Sequence, residues 1–204
     1  MSTYNNQESK LKDKARYKIH NSFKFDHDSP SIFSMPANNF YFEKQCRDRY
    51  PNARIDTVEG DYNVYKQGRK IAKTINANHK YNNVFTHLAK SKEKYDLIWL
   101  DLCGNLTPSL ITNLIPIVQG RNTKDNALIA ITLAGRRENK IPRLKEFYEF
   151  ESLKEFREIQ FIDNLKSFAK MNKVSLKYKK LFQYQSDNGM PMNLYILTLK
   201  NLKK

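Results

Sequence analysis

Two carboxylates stand where a strand by itself has no use for one. Glu59 closes the run "ARIDTVE" and is followed by Gly60 and Asp61, while Asp101 closes the continuous apolar run "YDLIWL" and is followed by Leu102, Cys103 and Gly104. Ending a buried strand on a charge costs desolvation energy and gains no packing. A ligand site, in contrast, uses such groups. A carboxylate at a strand end can accept both hydroxyls of a ribose, and one facing a nucleophile can orient an amine or hydroxyl and take its proton. Glu59 also has a plainer reading, in which it helps Asp61 start the next helix with favourable negative charge.

Two other segments carry polar chemistry. "GRRENK", residues 135 to 140, places Arg136, Arg137 and Lys140 after another apolar run, which suits phosphate contacts by planar guanidinium groups or a solvated loop equally. The four histidines, His20, His27, His79 and His87, show no metal-ligand spacing. Cys46 and Cys103 lie far apart and form no CxxC pair, which excludes a zinc knuckle and a disulfide framework and fits a reducing, intracellular compartment. Cys103 reads as a small buried thiol.

The chain around these residues has 204 positions, 40% apolar and 28% charged, with 12 Phe and 12 Tyr, enough for one folded domain. Its formal net charge is +15. A charge of that size favours a polyanionic partner, most often nucleic acid. No stretch approaches membrane-spanning length and the first residues lack an apolar signal core, so no membrane partner is expected. A partner protein or a homo-oligomer remains open. The abundance of Asn, Lys, Ile and Tyr suggests an AT-rich genome and, by association, a phage or viral source.

Residues 1–20 read as a basic N-terminal arm, mobile or a frayed helix, ahead of a single domain over 21–204. "SPSIFSMP" reads as a strand and "NNFYFEKQCRDRYPN" as a short helix with Phe40, Phe42 and Cys46 on one side. "ARIDTVE" is a second strand, and Asp61 caps a helix over "YNVYKQGRKIAKTINA". "YNNVFTHLAK" is a weak strand candidate and "YDLIWLD" a central parallel strand covered on both faces. Thr107 and Pro108 open a helix that Gly120 follows, and "NALIAITLAG" is another buried strand. Residues 141 to 173 carry Leu144, Phe147, Tyr148, Leu153, Phe156 and Ile159 at helical steps, and "DNGMP" turns a terminal hairpin. Alternation of strand and helix predicts an α/β fold, a doubly wound and mostly parallel sheet with a C-terminal antiparallel hairpin.

This element order, with its two acidic strand ends and reversed last strand, resembles the class I S-adenosylmethionine-dependent methyltransferase superfamily over residues 29 to 200. The resemblance implies S-adenosylmethionine as cofactor, with Glu59 on its ribose. It implies that Asp101 faces the transferred methyl group and its acceptor, with Gly104 allowing a sharp turn over the pocket. The loop after the first strand, Ser34, Met35, Pro36, Ala37 and Asn38, then meets the methionine end of the cofactor, or is a plain strand-to-helix connection. It lacks the glycines usual in this family. His87, placed after the weak third strand, would edge the adenine pocket. Asp101-Leu102-Cys103-Gly104 departs from the Asn/Asp-Pro-Pro-aromatic motif of adenine-N6 and guanine-N2 enzymes and so lacks their stacking platform. The expected function is methyl transfer to nucleic acid, DNA or RNA. The alternative is a catalytically inactive methyltransferase-like subunit that binds nucleic acid or a partner.

Overall fold

The computed structural model describes residues 10–36, 39–102, 104–135, 155–186 and 189–202. Ala37, Asn38, Cys103, Arg136, Arg137 and Lys140 fall outside these residues, as do Leu144, Phe147, Tyr148 and Leu153 of the expected long helix.

The described elements are α1 (Lys10–His20), β1 (Ser31–Ser34), α2 (Tyr41–Arg49), β2 (Arg54–Glu59), α3 (Tyr62–Thr74), β3 (Ala77–Tyr81) and α4 (Val84–Lys90). They continue with β4 (Tyr95–Asp101), α5 (Pro108–Val118), β5 (Thr123–Ala134), α6 (Phe161–Met171), β6 (Val174–Gln185) and β7 (Pro191–Asn201). A single π-helical turn, Phe156–Gln160, leads into α6. The strands form one sheet in the order β3-β2-β1-β4-β5-β7-β6. β1 to β5 are parallel, and β7 inserts antiparallel between β5 and β6. The doubly wound sheet with a terminal antiparallel hairpin is therefore present.

Alternation along each strand sorts the core into two layers, because successive side chains point to opposite faces. Phe33, Ile98 and Leu100 face α4, α5 and α6, together with Leu88, Leu114 and Leu165. Ile32, Leu97 and Trp99 face α1 and α2, together with Ile19, Phe42 and Cys46. β4 is buried along six of its seven residues, which is why its sequence is apolar without alternation.

Four expectations change. The arm predicted for residues 1–20 is, from Lys10 onward, a helix whose Ala15 and Ile19 are fully buried. "YNNVFTHLAK" is mostly helix: Asn83 accepts from the backbone N–H groups of Phe85 and Thr86, and Val84 and Leu88 turn one face to the core. The third strand lies earlier, at Ala77–Tyr81, and overlaps the expected helix only at Ala77 and the strand candidate only at Tyr81. It is an edge strand and largely exposed, so its sequence carries no apolar run. Asn76, at φ 51, ends the preceding turn in the left-handed region that Asn tolerates. Ile159, expected on an apolar helical face, is exposed, whereas Phe156 is buried.

Candidate active site at the carboxyl ends of β1, β2 and β4

In an open parallel sheet the crevice lies beyond the carboxyl ends of the strands, where the strand order reverses. Here that point lies between β1 and β4, with β2 on the other side of β1. Glu59 and Asp101 therefore sit on one rim, two strand spacings apart, or about 10 Å.

Glu59 is held by its own turn. Its Oε1 accepts the Asp61 backbone N–H at 2.8 Å, and its burial raises the pKa, against the opposing effect of the Asp61 and Gly60 backbone N–H groups. Asp61, not Glu59, caps α3: its Oδ1 accepts from Asn63 N at 2.8 Å and Val64 N at 3.1 Å. The Asn82 N–H donates to the Glu59 carbonyl at 3.1 Å and ties the turn to the end of β3.

Asp101 is held from a distance. Lys12, on α1, brings its Nζ to 2.6 Å from Asp101 Oδ2, and the Asp101 side chain is only 7% exposed. Across the sheet Asp101 pairs in register with Thr132, whose hydroxyl receives the indole N–H of Trp99. The chain bends at Gly104, where a Cβ would meet only the Leu102 carbonyl at 3.5 Å, an ordinary contact.

Between the two, the end of β1 is polar in a way the sequence reading missed. Ser34 is fully buried and its Oγ donates to Glu43 Oε1 at 2.5 Å. Glu43, on α2, is 1% exposed, and its Oε2 has no hydrogen-bond partner among the described residues. Burial raises the Glu43 pKa; Ser34, its own backbone N–H and Arg16 oppose the shift, and nearby Asp101 adds to it. A buried carboxyl beside a strand end, with one oxygen unpartnered among the described residues, is a feature of this crevice. The clue was available, since Glu43 lies three residues before Cys46 on the apolar stripe of α2.

The loop between β1 and α2 solves its lack of glycine unusually. Phe40 adopts φ 54, the left-handed region that favours glycine. Such strain costs about 1–3 kcal/mol. Complete burial of the Phe40 ring, roughly 1.5–3 kcal/mol for a large apolar side chain, offsets it. α3 packs tightly against this ring, for a Cβ on Gly68 would stand 2.7 Å from Phe40 Cε2. Met35 is half-buried against the larger core cluster and Pro36 is buried.

His87 is not at a strand end. It lies within α4, with its ring stacked on Phe33 at 5.7 Å, and burial lowers its pKa. No group of three or more His, Cys, Asp or Glu side chains could hold a metal among the described residues. No helix among them is long and apolar enough to cross a membrane.

No protein-family model matches the chain, and no curated protein matches it at the sequence level. Solved structures do match. TYW2 of P. horikoshii, in complex with MeSAdo, superposes with TM-score 0.61 at 13% identity, covering 98% of this chain and 67% of that one. The chain has the class I methyltransferase-like fold. TYW2 of M. jannaschii, in complex with AdoMet, gives TM-score 0.61 at 12% identity over 97% of this chain and 80% of that one. The plantazolicin methyltransferase BamL, with a triazolic desmethylPZN analog and SAH, gives 0.61 at 14% identity over 93% and 84%. At these identities the likeness concerns the fold alone. In this sheet Glu59 and Asp101 stand at the carboxyl ends of β2 and β4 and Glu43 of α2 meets the end of β1, whereas the buried Asp56 and Asp96 lie toward the amino ends of β2 and β4.

Proposed function

We propose that the protein is an S-adenosylmethionine-dependent methyltransferase whose acceptor is a nucleic acid, DNA or RNA. The observation that carries the reading is the placement of Glu59 and Asp101 on one rim of the sheet, flanking the switch point of its strand order. The solved structures that share the fold include complexes with AdoMet, MeSAdo and SAH, which supports the choice of cofactor.

The residues fit that cofactor. Glu59, already aimed by the N–H of Asp61, offers its remaining lone pairs to the two ribose hydroxyls. Ser34 and the Glu43 oxygen that has no partner among the described residues mark the end of β1 as a polar floor able to meet a charged or hydrogen-bonding group. The cofactor supplies a methyl group on a sulfonium, which is why few protein groups are needed beyond positioning. Asp101 orients the acceptor and takes its proton; Lys12 now holds the place at Asp101 that an acceptor amine would use, and the acceptor displaces it. The +15 charge supports a polyanionic acceptor.

A second reading, an inactive methyltransferase-like binding subunit, draws on the same Lys12–Asp101 pair and on the glycine-free loop at Phe40. Transfer of tritium from labelled cofactor to DNA, RNA and protein pools separates the two. Labelled nucleic acid supports the enzyme; no label in any pool, from folded protein, supports the binding subunit.

A further inference from the structure

α3 carries a stripe of cations with no acidic partner among the described residues. Lys66, Arg69, Lys70 and Lys73 follow at three- and four-residue steps, so they share one helix face. All four are exposed, they line one shallow surface concavity, and none is in an ion pair among the described residues. α3 contains no acidic residue at all. Like charges three and four apart on a helix repel one another and destabilise it. A face that keeps four of them is arranged for an anion.

The aromatic side chains at the head of the stripe narrow the choice. Tyr62, at the start of α3, and Tyr81, at the end of β3, meet edge to face at 5.4 Å and are still 52% and 53% exposed. Lys66 Nζ lies 5.2 Å above the Tyr62 ring, and Arg69 lies 6.0 Å above that of Tyr65. Large exposed rings interleaved with solvent-exposed cations are what single-stranded nucleic acid uses: bases stack on the rings and phosphates follow the cations. The place fits as well. Tyr81 pairs in register with Glu59, so the rings border the rim of the site and the stripe leads away from it down α3. From Lys66 to Lys73 the helix rises about 10 Å, room for a few nucleotides.

We infer that the α3–β3 edge binds single-stranded nucleic acid, with Lys66, Arg69, Lys70 and Lys73 on the phosphates and Tyr62 and Tyr81 stacking on bases at the site's rim. The inference rests on the nucleic-acid reading above and adds a contact surface to the one expected at Arg136, Arg137 and Lys140, which lie outside the described residues.

The test is fluorescence anisotropy of the full chain with fluorescein-labelled oligo-dT and oligo-rU of about 16 nucleotides, across a salt series. Alanine at all four cations should weaken binding at least tenfold and lower the slope of log affinity against log salt by about 3. Alanine at Tyr62 and Tyr81 together should weaken it about five- to a hundredfold with the slope unchanged, and phenylalanine at both should restore it. The matched control removes four exposed lysines elsewhere, Lys90, Lys92, Lys94 and Lys177, and should change little. Unaltered thermal unfolding establishes that each variant is folded. If the control variant loses as much as the α3 variant, nucleic acid remains the partner but this surface is wrong. Tighter binding to a duplex of the same length overturns the stacking. If the wild type binds neither oligonucleotide at low salt, the nucleic-acid reading fails and this inference with it.

Discussion

Glu59 and Asp101 both end a parallel strand on the same rim, yet they are secured by different means. Glu59 is fixed within its own turn by Asp61, two residues away, and Asp61 in turn caps α3. Asp101 is fixed by Lys12, on a helix from the amino-terminal part of the chain that packs Ala15 and Ile19 in the core. A locally secured carboxylate keeps its position whatever approaches it. One secured by a distant lysine can exchange that partner for another cation or amine. The first suits a cofactor bound in every turnover, and the second suits an acceptor that comes and goes.

That contrast can be broken at its more consequential end. Asp101→Asn preserves size and one acceptor atom but cannot take a proton, so methyl transfer should fall by about a hundredfold or more, measured as tritium incorporated into nucleic acid. Cofactor affinity and thermal unfolding should change far less. Full transfer by this variant would make the carboxylate a structural group.

The two anchoring schemes should also differ in stability. Lys12→Ala leaves Asp101 nearly buried without its cation and should cost about 1–3 kcal/mol, between the values for exposed and buried pairs because Lys12 itself is 24% exposed. Asp61→Ala removes only a helix cap and should cost about 1 kcal/mol. Chemical denaturation of both variants measures the difference, and equal costs would remove the distinction between local and distant anchoring.

The smallest effect concerns Glu43, which lies between the two. Its folded pKa is raised by burial, so it favours the folded state fully at pH values below its unfolded pKa, and that contribution is lost as pH rises through the raised folded value. Glu43→Gln mimics the protonated form. It should leave stability unchanged in acid and raise it relative to the wild type near neutral pH. Melting curves at several pH values would show this, and a Gln variant less stable at neutral pH would mean the group is held ionised.

Local features were legible in the sequence, and distant ones were not. The buried run of β4, the Asp61 cap, the stripe of α2 and the terminal hairpin each depend on residues within a few positions of one another. β3 escaped because an exposed edge strand needs no apolar pattern, and α4 escaped because only Asn83, Val84 and Leu88 reveal it within seven residues. Lys12 gives no local sign that it will meet Asp101. Phe40 in a left-handed conformation is legible only once its buried ring and Gly68 are seen together. His87 was misplaced as a consequence of misplacing β3.

The central claim is that this rim holds S-adenosylmethionine through Glu59, and calorimetric titration of the wild type and Glu59→Ala with S-adenosylmethionine and S-adenosylhomocysteine tests it most directly. The wild type should bind both saturably, and the variant should bind them more weakly by about 1–3 kcal/mol, the penalty for leaving the ribose hydroxyls unpaired. Folded wild-type protein that binds neither ligand at millimolar concentration would contradict it, and so would a folded variant that binds both as tightly as the wild type.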